Sequence, residues 1–234
     1  PAIFLAYTGA FLMALAGLMD RGEASLNNYI PVIIDPLYYM GLICFVIALV
    51  LVIIRFTANI SGNRPIAGPL IDATIAGSLI FIAAISCFLF AWFPRMNNII
   101  DIRFNEDVFW GGGHVLQYLN TVLMITGWYL LCYISIGKPP IPRVLLRIIL
   151  LLCTLPALYM PTFYLTHGYN SGEAHQLFTD MQYLLAPPVI LMVVSLIIIL
   201  FRLPAGIRLI WNDMCFQCLF LSSLTFFIGG YFGL

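Results

Sequence analysis

The chain alternates long apolar runs with short polar loops, and seven runs are long enough to cross a bilayer: roughly Pro1–Met19, Pro36–Ile54, Gly68–Phe93, Val108–Ile136, Arg143–Thr166, Gln176–Phe201 and Ile210–Leu234. A hydrocarbon core about 30 Å thick needs about 20 apolar residues of helix. Backbone polar groups in lipid must pair within their own segment, so runs of this length predict helices. With 62% of residues hydrophobic and 9% charged, the bilayer is the only solvent that suits such a surface. No internal repeat or linker divides the sequence. Residues 1–234 are therefore expected to form a single membrane domain, an all-α integral membrane bundle of seven transmembrane helices. Pro1 is not a natural start, Leu234 falls inside an apolar run, and no signal peptide with its cleavage site precedes the first span. The chain reads as processed, truncated or incompletely resolved.

Proline marks the borders of the spans at Pro31, Pro36, Pro65, Pro69, Pro94, Pro139, Pro140, Pro142 and Pro204. Inside spans, Pro156, Pro161, Pro187 and Pro188 predict kinks, because each removes a backbone donor. The loops are asymmetric in charge. The second, fourth and sixth carry Arg55, Arg64, Lys138, Arg143, Arg202 and Arg208 with no acidic residue. The first, third and fifth mix Arg21, Arg95 and Arg103 with Asp20, Glu23, Asp35, Asp101, Glu106, Asp107 and Glu173. The positive-inside rule makes the even loops cytoplasmic, the Pro1 end inside and the Leu234 end outside. A bacterial inner membrane is the expected location.

Several function classes fall away. Net charge is zero and no basic tract exists, so nucleic acid is not an expected partner. Of six cysteines only Cys215 and Cys218 have metal or redox spacing, and no second pair completes a zinc site. The last span has no lysine for a retinal Schiff base, and the amino terminus lies on the wrong side for a rhodopsin-like receptor.

The three histidines fall at one depth on one side of the membrane. His114 lies near the outer end of the fourth span, about six residues, roughly 9 Å, below the surface. His167 closes the fifth span and His175 opens the sixth, with a short loop between them. Ionisable groups inside a bilayer are costly, so the cluster is first a metal-site candidate, formed by His114, His167 and His175. The plainer alternative is that each is a polar anchor at the interface. Gly111, Gly112 and Gly113 are unfavourable in a helix unless something approaches the backbone closely, and either a flat macrocycle or another helix meets that need. Tyr118 follows His114 by four residues and shares its helix face, where a phenol is able to serve a metal-bound oxygen or simply to pack. Protons bound for such a site need polar groups. Asp72, Thr74 and Ser78 in the third span, Thr121 and Thr126 in the fourth, and Asp180 in the sixth are candidates, although Asp72 also suits a plain interfacial position.

The segment Phe109-Trp110-Gly111-Gly112-Gly113-His114-Val115-Leu116-Gln117 resembles the sixth helix of catalytic subunits in the haem–copper oxidase and nitric oxide reductase superfamily. In that family the histidine corresponding to His114 binds the active-site copper, or non-haem iron in the reductases. Tyr118 falls where common oxygen-reducing members carry a tyrosine cross-linked to a histidine. Asn27 to Pro31 with Asp35 to Tyr39 resembles the family's loop between helices three and four. Phe178 to Tyr183 with Ala186, Pro187 and Pro188 resembles the start of helix eight, and Leu221 to Leu234 resembles helix nine. The resemblance implies helices three to nine of a twelve-helix fold.

Where the family's seventh helix carries two adjacent histidines, this chain has Thr166 and His167, which makes His175 the candidate for the other ligand. The family's haem-binding histidines lie in its second and tenth helices, so the resemblance implies a haem whose axial ligands are outside this chain. It also implies further subunits or helices that carry them, and an electron donor such as a cytochrome c or a quinol. The expected function is part of a respiratory oxidoreductase subunit reducing dioxygen or nitric oxide. The alternatives are a non-catalytic membrane subunit or scaffold derived from that fold, without bound metal, and, less well matched, a transporter.

Overall fold

A computed structural model describes residues 1–25, 32–60, 68–168, 172–201 and 210–232. These residues form helices α1 (Ala2–Leu18), α2 (Pro36–Ile60), α3 (Gly68–Trp92), α4 (Ile102–Ile136), α5 (Arg143–Tyr159), α6 (Thr162–Thr166), α7 (Gly172–Met181), α8 (Ala186–Phe201) and α9 (Met214–Phe232). A two-stranded antiparallel hairpin, β1 (Glu23–Ser25) and β2 (Val32–Ile34), joins α1 to α2 with Glu23 opposite Ile34. The Asn27–Pro31 segment of the expected outer loop lies outside the described residues.

Among the described residues five helical stretches are long and apolar enough to span a membrane: Pro36–Asn59, Gly68–Arg95, Ile102–Ile136, Arg143–Thr166 and Gly172–Ile199. Ala2–Leu18 and Met214–Gly229 are apolar helices below that length. Within the described residues each of the seven expected runs is mainly helical, and five of them have spanning length. At 1.5 Å per residue α1 reaches only about 26 Å. It stops where Asp20 and then Gly22 take positive φ, 50° and 71°. Phe4, Phe11 and Leu18 are mostly exposed on α1, a position that suits lipid-facing side chains. The protein is an integral membrane protein whose helices contact the bilayer.

Because lipid tails are as apolar as leucine, packing rather than transfer from water must hold these helices together. α3 buries Ala73, Ala76, Ile80, Ala83, Ala84, Cys87 and Ala91, a face of mostly small residues at helical spacing. That face lets α4 and α5 come close. α4 is the central helix. It buries His114, Val115, Tyr118, Val122, Ile125, Tyr129 and Cys132 and touches α3, α5, α7, α8 and α9. α1 and α2 cross at Gly9 and Gly41, where a Cβ on Gly9 would come within 2.6 Å of the Gly41 carbonyl oxygen. Tyr39 of α2 donates a 2.6 Å hydrogen bond to Asn105 Oδ1 of α4.

The boundaries of three spans differ from the sequence expectation. α4 begins at Ile102, about a turn and a half before Val108, because the Asp101 carboxylate caps it by accepting from the Phe104 amide at 2.7 Å. The fifth span is broken rather than only kinked. α5 carries Pro156 internally and ends at Tyr159, and Pro161 starts the short α6. The sixth opens at Gly172, four residues before Gln176, and is interrupted by a 3-10 turn over Gln182–Leu185. Pro187 and Pro188 then enter the first turn of α8, where a missing N–H costs least.

Asp35 closes the junction between β2 and α2. Its carboxylate accepts from Arg21 Nε at 3.0 Å and from the Leu37 amide at 2.8 Å. Burial alone would raise its pKa, but these hydrogen bonds and the Arg21 charge outweigh it and hold the carboxyl below the ordinary carboxylate range. A depressed folded-state pKa adds stability that is complete above the unfolded value and lost as pH falls through the folded one. Hydrogen-exchange protection of the Leu37 amide is therefore expected to persist through mildly acidic pH and to fall only below the normal carboxylate range. In Asp35→Asn that acid step is expected to be absent.

Candidate functional site

The polar interior centres on His114 in α4, which is fully buried. Its Nδ1 lies 2.8 Å from the Trp110 carbonyl oxygen one turn earlier. A carbonyl only accepts, so Nδ1 carries the proton and Nε2 is the acceptor nitrogen. Nε2 faces Thr179 Oγ1 of α7 at 3.4 Å, and the same hydroxyl donates to the His175 carbonyl at 3.1 Å. The imidazoles of both His114 and His175 pack on the Trp110 ring, with centroid distances of 5.0 and 5.1 Å. Trp110 Nε1 in turn donates to the His175 carbonyl at 3.2 Å. One indole thus joins two of the three sequence-selected histidines.

His175 lies in α7, half-buried, with Nε2 3.7 Å from Asp107 Oδ1. Asp107 also holds Arg95, whose guanidinium is 3.0 Å away and almost completely buried. Arg95 Nη1 donates to the Ala91 carbonyl at 2.9 Å. These three side chains form one wall of an open polar pocket of about 900 Å³ that is also lined by Asp101, Arg103 and Glu106.

His167 sits apart. It caps the end of α6 with an exposed side chain, and its Nδ1 is 2.7 Å from Thr166 Oγ1. Phe163 packs edge-on to His167 and next to Phe178, which lies against His114 at 6.3 Å between ring centroids. Aromatic rings therefore stand between His167 and His114. Among the described residues no three His, Cys, Asp or Glu side chains converge on a point where a metal ion would sit. His114 fits as one imidazole ligand of a metal, but His167 and His175 do not complete a ligand set around it.

The glycines make room for neighbouring aromatic rings. A Cβ on Gly111 would run into the Tyr164 hydroxyl and come within 2.7 Å of the Phe178 ring, and one on Gly112 would overlap Phe88. Gly113 is buried beside them. Of the two partners that closeness allowed, neighbouring helices hold this space, through side chains of α3, α6 and α7. Tyr118 is fully buried, and its hydroxyl donates to the Met181 carbonyl where α7 gives way to the 3-10 turn.

Of the polar residues considered for proton movement, Thr74, Thr121, Thr126 and Asp72 are engaged locally. Thr121 is buried and donates to the Gln117 carbonyl at 2.9 Å. Asp180 is exposed on α7. Asp72 binds Arg143 at 2.7 Å and Arg147 at 3.0 Å, which ties α3 to α5. Thr179 and the Arg95–Asp107 pair are the polar neighbours of the histidines that the sequence did not single out. Thr179 was findable as the residue one turn after His175. The ion pair was not, because three basic and seven acidic side chains crowd the same set of loops.

The chain is similar to bacterial proteins over about half of its length. An uncharacterized protein of Aquifex aeolicus (strain VF5) is 33% identical over 131 residues, covering 54% of this chain and 33% of the relative. An uncharacterized protein of Rickettsia prowazekii (strain Madrid E) is 28% identical over 130 residues, covering 53% of this chain and 25% of the relative. No family model matches the chain, and no solved structure matches it significantly. The matched region spans between a quarter and a third of the length of these relatives.

Proposed function

We propose that this chain is part of the membrane-embedded catalytic subunit of a respiratory oxidoreductase related to the haem–copper oxidases. The observation that carries the reading is His114: a fully buried imidazole in an apolar span, held by a backbone carbonyl at Nδ1, with Nε2 directed across the helix interface. Metal-bound histidines use the same arrangement, in which the second nitrogen donates to a carbonyl and orients the ring. In this reading His114 supplies one ligand to copper or non-haem iron. The other ligands, and a haem with its axial histidines, come from polypeptide beyond these helices or from a companion subunit.

Such a centre reduces dioxygen or nitric oxide, with electrons from a cytochrome c or a quinol. The chain's own part is to orient His114 through Trp110 and to keep water from it with Phe88, Tyr164 and Phe178. The proposed setting is the bacterial inner membrane, with seven spans, the Pro1 end cytoplasmic and the histidine-bearing end outside. The asymmetry of the loop charges and the bacterial relatives support it.

The second reading is a non-catalytic membrane scaffold derived from the same fold. The filling of the space over Gly111 and Gly112 by protein side chains, and the distance of His167 from His114, favour it. Metal analysis and a reduced-minus-oxidised optical spectrum of the full-length protein with its natural partners separate the two. The oxidoreductase reading expects a haem signal and a non-haem metal that His114→Ala removes. If the intact preparation holds neither, and His114→Ala costs only packing stability, the scaffold reading stands instead.

A further inference from the structure

Arg143 and Arg147 stand one turn apart on α5 and both bind the carboxylate of Asp72 on α3. Two guanidiniums share one carboxylate, so the cluster keeps a net positive charge. The arginine side chains are 46% and 52% exposed, which makes the cluster weak as a stabilising ion pair. Both arginines face Asp72 through Nε and Nη2. Among the described residues, neither Nη1 group has a hydrogen-bond partner. Asp72 and Arg147 also form the mouth of a groove of about 200 Å³ between α3 and α5. The groove continues for about two turns over Ile75, Leu79, Leu150 and Leu151. A cationic, half-exposed head thus runs directly into an apolar channel that lies along two membrane helices.

We propose that this is a binding site for one anionic phospholipid, with its phosphate on Arg143 and Arg147 and one acyl chain in the α3–α5 groove. Charge complementarity selects the headgroup, because basic clusters at helix ends attract anionic lipids. The carboxylate of Asp72 contacts both guanidiniums and lowers the net charge that a phosphate meets. The groove selects a lipid over a free phosphate ion, which has nothing to place against Leu79 or Leu151. None of the histidines or glycines around His114 takes part, so the site stands or falls independently of the oxidoreductase reading.

The test is native mass spectrometry of the full-length protein released from nanodiscs that contain equal amounts of phosphatidylglycerol and phosphatidylcholine. The wild type is expected to retain phosphatidylglycerol preferentially. Arg147→Gln is expected to lower that retention about five-fold, the effect of one interfacial cationic side chain. Asp72→Asn raises the net charge and is expected to increase retention, the opposite of what a purely structural ion pair would show. Leu79→Trp fills the groove without touching the charges and is expected to reduce retention toward the phosphatidylcholine level. Equal retention of the two lipids overturns the site. So does phosphatidylglycerol retention that responds neither to Arg147→Gln nor to Leu79→Trp, or that falls in Asp72→Asn.

Discussion

Asp107→Ala is expected to destabilise the folded protein by about 3 kcal/mol, measured as unfolding in detergent micelles, because it removes the carboxylate facing a buried cation. Arg95 is 4% exposed at its side chain, and Asp107 lies 3.0 Å from it. The Ala91 carbonyl also accepts from Arg95, but a neutral acceptor does not offset the charge. Breaking such a pair costs far more than the pair contributes, since the remaining guanidinium stays desolvated. The double variant Arg95→Met/Asp107→Leu is therefore expected to recover most of the lost stability. A double variant no more stable than Asp107→Ala would mean that Asp107 acts mainly through another partner. His175, 3.7 Å away, is the nearest such partner.

Two glycines on the same helix are expected to respond in opposite directions. Gly112→Ala places a methyl group within 2.2 Å of the Phe88 ring, whereas Gly127→Ala adds one where, among the described residues, no neighbouring helix or side chain lies within 4 Å. Alanine favours a helix over glycine by about 1 kcal/mol at either position. At Gly127 that gain is unopposed, and stability is expected to rise by up to about 1 kcal/mol. At Gly112 overpacking of about 1–3 kcal/mol works against it. Phe88 also packs on Phe109 at 5.6 Å between centroids and has little room to yield, so a net loss of about 2 kcal/mol is expected. Adding Phe88→Ala to Gly112→Ala should relieve the clash, and a non-additive double-variant cycle would show it. Additive effects would show that the α3–α4 contact adapts without Phe88.

The helical membrane class, the position of each apolar run and a disturbance of the fifth span at Pro156 and Pro161 were legible in the sequence. Each depends on a window of neighbouring residues. Capping by Asp101 was within reach of the same local reasoning, since an Asx residue three positions before a helical amide is a common cap. The sharing of one helix face by His114 and Tyr118 was legible too, because helical periodicity alone sets it. The hairpin β1–β2 was not, because strands of three residues carry too little periodic signal.

The partners of the polar residues belong to a different level. The sequence placed three histidines at one membrane depth, but depth is a coordinate along the helix axes, and contact also requires the right rotation about each axis and the right neighbour. The structure puts His114 and His175 on Trp110 and leaves His167 beyond Phe163. Likewise, the glycine run announced a close approach without naming Phe88, Tyr164 or Phe178. Asp72 read as a proton-path candidate that also suits an interfacial position, and only the placement of α5 beside α3 brought Arg143 and Arg147 to it.

What this sequence determined by itself is its solvent and its helices, because a backbone in lipid must satisfy its hydrogen bonds within each segment. What the tertiary structure decided is which side chains meet. Tyr118 reaches Met181 across 63 positions, and Trp128 reaches Ser222 across 94. Such pairings follow from how small-residue faces let neighbouring helices approach and rotate, which no single segment encodes.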